Sequence, residues 1–396
     1  MPKDSERHSL SGNDVKTVTL EQLTRLYLDK QFLLPKTKKE NVVAVAGALC
    51  GLQSQMPLTP YFSLWNRIKG FKPEMLDTAL YDDRSLVKTW SVRGTVHIFP
   101  SKDLPIYHNA LKRMWFEHHG RYMGSPEWPS LEERRELIYP NILKALAKKP
   151  LKRKELDARV RKMMGNAPKS YERLFSAWGG ILKETSYMGL TVFAEPSGRE
   201  ACFARLDQWL PEIGLDKIGE SQARDKLLLK YLQGFGPASH QDFACWSGLL
   251  AGEARQSIES VHSQLEEVHL EGSGKRLWML KSNPKEIEEM DLEEKVPPRL
   301  LPKFDPYLLG HKERTRAIEE GFLKKVCRPA GDIAAVLLVN GRVHGTWNYR
   351  KTKKRLTVAI TPFRKLDEET IAQLELSITN LTAVFKVHEA RMVLNQ

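Results

Sequence analysis

Gln53-Ser54-Gln55 closes an apolar stretch from Val42 to Leu52, and Pro57 follows two residues later. A carboxamide oxygen accepts a hydrogen bond without taking up a proton. Two of them held together can therefore aim a water molecule by position alone, with no proton abstraction. Downstream, Arg93 and His97 punctuate Ser91 to Phe99, an apolar, β-branched run that reads as a short β-ribbon. Q-x-Q also arises by chance, and polar residues commonly end helices, so the pair carries weight only with its surroundings. If the apolar run is a helix from about Glu40 toward Met56, positions i and i+2 face different sides. The two amides then meet only where the helix frays, which Pro57 favours by pushing Met56 out of α conformation.

The elements that must position these residues form a repeating outline. Helical spacing covers Thr19 to Leu34 and Glu40 to Met56, a further helix starts at Thr59 with Pro60 in its first turn, and a short one lies near Pro73 to Tyr81. The strand-like Val87 to Phe99 then completes a helix–helix–helix–ribbon unit of winged helix-turn-helix type. The outline recurs with helices from Ser130 to Ala147, from Pro150 and over Tyr171 to Met188, then strands Leu190 to Ala194 and Ala201 to Arg205. It recurs again with helices Ala223 to Gln233, Asp242 to Leu249 and Glu253 to Gln264, then strands Leu265 to Leu270 and Arg276 to Lys281. An acidic linker helix is expected over Lys285 to Lys295. Beyond Pro297 the texture becomes β-rich: Ala334 to Val339 and Arg342 to Tyr349 flank the hairpin signal Asn340-Gly341, Leu356 to Thr361 adds a strand, and a helix from Asp367 to Leu381 closes the chain. The expected boundaries are a loose 1–16, then 17–125, 126–215, 216–296 and 297–396.

The chain's 396 residues exceed one core of ordinary size, in keeping with several modules. Lys and Arg number 62 against 49 Asp and Glu, a net charge of +13, which favours a polyanionic partner such as nucleic acid. The four cysteines, Cys50, Cys202, Cys245 and Cys327, form no C-x-x-C pair, which argues against a zinc ribbon and a disulfide framework. Cys50 and Cys245 fall in apolar helical patterns and are expected to be buried. The amino terminus lacks the apolar core of a signal peptide, and no apolar run is long enough to span a bilayer, so a reducing cytoplasm is the expected home. Gly272-Ser273-Gly274-Lys275 lacks the spacing of a phosphate-binding loop, His118-His119 are adjacent rather than one turn apart, and Ser247-Gly248 is no hydrolase elbow. No metal and no cofactor are expected.

Five segments in order carry a resemblance. They are Gly51 to Gln55, Arg93 to His97, Gly236-Pro237-Ala238 with Asp242 to Leu249, Leu301 to Gly310, and Val339 to Val343 with Gly345-Thr346-Trp347. Together they resemble the AlkZ-type DNA glycosylases, over most of the chain from about Thr17. The resemblance implies an α+β architecture: three tandem winged helices in a C-shape with a small C-terminal β-barrel-like domain. It also implies a catalytic Gln-x-Gln motif, which maps onto Gln53 and Gln55, here with Ser54 in place of an aliphatic residue between them. What it implies of function is a monofunctional glycosylase acting on double-stranded DNA with alkylated purines, interstrand cross-links among its substrates, and acting as a monomer. The chemistry is coherent on its own terms. A base alkylated at N7 or N3 is already cationic and leaves without a strong general acid, so two neutral amides that position the attacking water suffice.

Other polar groups have two readings each. Arg93 and His97 are candidate DNA contacts, or an ion-paired arginine and a core histidine. Asp305, before Pro306, is a hidden carboxylate or, more in keeping with Asp-Pro, a turn former. The basic clusters Lys152, Arg153, Lys154 and Arg350, Lys351, Lys353, Lys354, Arg355 are candidate phosphate contacts, or simply solvated faces. A non-catalytic winged-helix regulator is the competing function, and it has no need of Gln53 and Gln55.

Overall fold

The computed structural model describes residues 16–34, 41–123, 128–165, 174–176, 180–282, 287, 291, 292 and 295–395. The expected loose segment 1–15 lies outside them, as do most of the acidic linker and residues 171–173 and 177–179 of the expected Tyr171 to Met188 helix, whose residues 174–176 are described and are not helical.

A strand β1 (Lys16–Val18) leads into α1 (Leu20–Lys30), whose cap Thr19 and Gln22 hydrogen-bond reciprocally. Next come α2 (Val42–Ala48), β2 (Leu52–Gln53), α3 (Thr59–Arg67), α4 (Pro73–Asp77), β3 (Leu86–Trp90) and β4 (Val96–Pro100). The twenty-residue α5 (Leu104–Met123) was not anticipated, although Leu104, Tyr107, Leu111, Met114 and Trp115 have helical spacing and are buried. The second ensemble holds α6 (Leu131–Glu133), α7 (Tyr139–Leu146), β5 (Leu151–Lys152), α8 (Arg153–Met164), α9 (Gly180–Tyr187), β6 (Thr191–Ser197) and β7 (Glu200–Arg205). After α10 (Leu206–Trp209) the third holds α11 (Glu220–Phe235), α12 (His240–Ser247), α13 (Ala251–Ser260), β8 (Leu265–Leu270) and β9 (Lys275–Leu280).

The three ensembles share one sheet plan. β2 and β5 each add a two-residue strand to the outer side of a hairpin, giving the orders β2-β4-β3 and β5-β7-β6. In the third, a single residue plays that part: Ala238 exchanges backbone hydrogen bonds of 3.0 and 2.9 Å with Trp278 of β9. β1 then lies parallel to β8 on the far edge.

The C-terminal part is a five-stranded sheet: β10 (Arg299–Leu301), β11 (Val336–Val339), β12 (Arg342–Lys351), β13 (Arg355–Pro362) and β14 (Glu389–Leu394), in that order. The fold is thus mixed α+β. Instead of curling into a barrel the sheet stays open. β10 at one edge is only three residues long, and helices Glu368–Thr379 and Leu381–Phe385 cover the Leu356, Val358 and Ile360 face near the other edge. The final strand β14 is not among the expected elements, although Glu389 to Met392 alternates polar and apolar residues and Ala390 and Met392 pack against the core. One core joins this sheet to the first ensemble. Phe62 of α3 contacts Trp347, Tyr349 and Phe385 at ring-centroid distances of 5.1, 5.2 and 4.7 Å.

Candidate active site

Gln53 is on a strand, not on a helix. α2 stops at Ala48, and Cys50 and Gly51 both take positive φ (53° and 97°), which turns the chain out of helical conformation. Gly51 is confined by close approach as well, because a Cβ there would lie 3.3 Å from the Ile98 carbonyl oxygen. The chain then pairs Leu52 with Ile98 and Gln53 with His97, and the Ser54 amide donates to the Val96 carbonyl at 2.7 Å. The period of an extended chain is two residues, so Gln53 and Gln55 emerge on one side and Ser54 on the other. The difficulty a helix would create for i and i+2 does not arise.

The amides touch. Gln53 Nε2 donates to Gln55 Oε1 at 3.1 Å. Gln53 is 5% exposed, whereas Gln55 stands in the open at the start of the turn leading to α3. Arg93 completes the group. Its Nη2 lies 3.4 Å from Gln53 Oε1, and its Nη1 donates to the Trp246 carbonyl at the carboxyl end of α12. Burial pulls the Arg93 pKa down to about 10, which leaves it charged at neutral pH. Among the described residues no carboxylate hydrogen-bonds either glutamine or Arg93. The constellation therefore offers positioned acceptors and one fixed cation, without a general base of carboxylate type.

His97 stands behind Gln53 and is 4% exposed, with Nδ1 3.1 Å from the Thr95 carbonyl. Burial, reinforced by the Arg93 charge, lowers its pKa to about 3, so it is a neutral core residue rather than a surface group facing a duplex. Asp305 is fully buried. It forms a two-pronged ion pair with Arg67 (2.7 and 2.9 Å), accepts from Ser63 Oγ at 2.9 Å and caps the turn at Tyr307, so its carboxylate is fully occupied in holding α3 to the C-terminal part.

The basic clusters differ. Lys152 faces Glu200 at 3.4 Å, Arg153 donates to the Phe175 carbonyl at 2.5 Å, and Lys154 is exposed. Arg350, Lys351, Lys353, Lys354 and Arg355 are all exposed at the β12–β13 turn, with Arg355 paired to Glu389 at 2.5 Å. Tyr349 and Trp347 at the root of that hairpin pack on Phe62, in the helix that directly succeeds the Gln55 turn. A cleft of about 970 Å³ opens at the amino end of α12, lined by Tyr27, Asp242, Arg255, Trp278, His311 and Arg316 among others, and neither glutamine borders it.

The remaining motifs turn out to be joints. Gly310 packs against the Phe235 ring, where a Cβ would come within 2.2 Å, and its carbonyl accepts from Tyr231 Oη at 2.7 Å. Asp242 accepts from the Lys312 amide at 2.9 Å, and Trp347 Nε1 donates to the Leu301 carbonyl at 2.8 Å. Cys50 is buried as expected. Cys245 is exposed, because α12 turns Phe243, Trp246 and Ser247 inward instead. The Trp246 carbonyl, which holds Arg93 beside Gln53, is not among the groups expected from the sequence. A backbone oxygen leaves no mark in a sequence, although Trp246 lies in a segment that carried the resemblance. Among the described residues, no group of three or more His, Cys, Asp or Glu is placed to hold a metal, and no helix is long and apolar enough to cross a membrane.

Known proteins resemble this chain over most of its length. The interstrand DNA cross-link repair glycosylase of Streptomyces sahachiroi is 27% identical over 351 residues, spanning 85% of this chain and 88% of that protein. The solved structure of the DNA glycosylase AlkZ from the same organism superposes with a TM-score of 0.79 at 24% identity, covering 96% of this chain and all of that one, which establishes the shared fold. The family model for AlkZ-like DNA glycosylases matches residues 46–384, from the end of α2 to the last helix. The chain therefore belongs to the AlkZ-like family of DNA glycosylases, hydrolases of the N-glycosyl bond.

Proposed function

We propose that this protein is a monofunctional glycosylase that hydrolyses the N-glycosidic bond of alkylated purines, N7-alkylguanine and N3-alkyladenine, in double-stranded DNA. Gln53 and Gln55 form its catalytic pair. The observation that carries the reading is the 3.1 Å contact between the two amides, at the end of an edge strand, with no carboxylate among the described residues bonded to either. In the reaction the C1′–N9 bond breaks with its electron pair passing to the base, which neutralises the alkylated purine. The water held by the amides bonds to C1′, and its surplus proton passes to bulk solvent. The amides supply position, so the selectivity for labile, cationic adducts follows from the weakness of the catalyst.

A cross-linked base stays tied to the opposite strand and cannot be swung out fully, so an exposed Gln55 suits it better than a closed pocket. Unhooking of interstrand cross-links, the activity in the name of the Streptomyces relative, is the natural extension. We read the three small sheets and their helices as tandem winged helices arranged in a C around the duplex, with units at 17–125, 126–215 and 216–296 and the open sheet at 297–396. Lys154 and the exposed Arg350, Lys351, Lys353 and Lys354 would neutralise phosphates, and the protein would act as a cytoplasmic monomer.

The test is excision from a duplex containing N7-methylguanine, followed by alkaline heating to convert abasic sites to breaks. Breaks with the wild type, lost in both Gln53→Ala and Gln55→Ala while DNA binding persists, are expected. Tight binding without base release would refute the reading. A panel adding N3-methyladenine and a mustard cross-link sets the substrate range.

A further inference from the structure

Arg93 joins segments that are 153 positions apart, holding the Trp246 carbonyl with one nitrogen and reaching Gln53 Oε1 with another. A guanidinium has donors only, so the end of the Gln53 amide that faces it must be the oxygen. The other end, Nε2, then faces Gln55 and must donate, which makes the Gln55 atom at 3.1 Å an oxygen too. Amide orientation is thereby fixed by chemistry instead of being free to flip. Both polar ends of buried Gln53 are engaged within the protein, while the exposed Gln55 keeps a lone pair on Oε1 and its own NH2 outside this chain of bonds.

From this geometry we infer that Arg93 is a positioning residue that sets the polarity of the amide pair, making Gln53 its inner support and Gln55 the group that meets water and sugar. The inference rests on the glycosylase reading and changes its weighting, since the two glutamines are no longer equivalent. The arginine is itself held tightly. Its backbone is left-handed (φ 52°), and the next residue is Gly94, where a Cβ would lie 2.7 Å from the Trp115 ring. Gly248 ends α12 beside Arg93 in a left-handed conformation (φ 88°) that favours glycine. The charged or ionisable groups acting on it are Cys245 and Arg314, so among the described residues no acid compensates the cation. A half-buried guanidinium bonded only to carbonyl oxygens is a costly arrangement, in keeping with a role at the site.

The experiment compares wild type with Arg93→Met, Arg93→Lys, Gln53→Ala, Gln55→Ala and the Arg93→Met/Gln53→Ala double variant. Two quantities are read: single-turnover release of N7-methylguanine at saturating enzyme, and duplex affinity at two salt concentrations. Thermal melts accompany each variant. Arg93→Met should slow release by about 10- to 100-fold, with affinity and salt slope unchanged. The double variant should be no slower than Gln53→Ala, because both act on one element. Arg93→Lys should recover part of the rate, and Gln55→Ala should lose more than Gln53→Ala. A wild-type rate in Arg93→Met, losses that multiply in the double variant, or weaker binding with a salt slope reduced by about one phosphate's worth would overturn the inference. Should Arg93→Met melt early, Arg93→Lys and its cycle with Gln53→Ala carry the same test. Absence of base release by the wild type, or a fully active Gln55→Ala, sinks the glycosylase reading itself. A dead Gln55→Ala beside an unimpaired Arg93→Met sinks only the relay.

Discussion

The first and second ensembles are built alike up to one point. β2 and β5 are both two-residue strands beginning with a buried leucine, Leu52 or Leu151, on the outer edge of a hairpin. Gln53 faces His97 and Lys152 faces Cys202 at equivalent places in the register. The two diverge immediately after the strand. β5 runs straight into α8 at Arg153, with Lys152 as its cap, whereas residues 54–58 separate β2 from α3. That interval makes room for Gln55 beside Gln53. The two glutamines are brought side by side by delaying a helix, not by a new fold, and the third ensemble, where Ala238 is followed at once by the cap Ser239, lacks the delay as well.

The delay must be held open, and the buried Arg67–Asp305 pair anchors the helix beyond it. Arg67→Ala leaves Asp305 charged and unpaired, so a loss of about 3–5 kcal/mol in urea unfolding is expected. The same variant separates support from chemistry, because the molecules that remain folded should excise at a normal rate. Next in size is Gln55→Ala, for which about a 10²- to 10³-fold fall in single-turnover rate is expected. Lys152→Gln, at the position of the second ensemble that corresponds to Gln53, should leave that rate untouched.

Acid should weaken the first ensemble in particular. His97 takes up a proton near pH 6.5 when unfolded but only near 3 when folded, so between those values the unfolded state binds more protons and stability falls as pH falls. The expected slope from this one group is at most about 1.4 kcal/mol per pH unit, and His97→Gln should flatten it in denaturant melts at pH 7, 6 and 5. Half-buried His108 and buried His311, lowered to about 4 and 3, act in the same direction and remain as the residual slope. The smallest effects concern the basic turns. Lys351→Ala with Lys353→Ala and Lys354→Ala should reduce the salt dependence of duplex binding by about one unit of slope for each phosphate no longer neutralised. Lys152→Ala, already engaged by Glu200, should change it little.

How far the sequence was readable depends on the range over which each signal acts. Hairpins were legible because alternation and Asn340-Gly341 act over a few residues, and the first helix starts at Leu20, next to its expected start at Thr19. The pair Gln53 and Gln55 was visible as residue types, yet its conformation was misassigned. Val42 to Leu52 is apolar throughout, and periodicity cannot separate a buried helix from a buried strand there. Two left-handed residues, one of them Cys50, decided the matter, and no propensity flags a cysteine at φ 53°. The role of Asp305 was legible from Asp-Pro, but its partner Arg67 was not, because that contact spans 238 positions.

The bond from Arg93 to the Trp246 carbonyl has a bearing on how such proteins can change over time. An excised first ensemble would keep both glutamines and lose the oxygen that steadies their neighbour, since that oxygen belongs to residues 240–247. Recombination that trades one ensemble for a foreign one would break the same link. The first and third ensembles, however modular they look along the chain, are tied together by that bond.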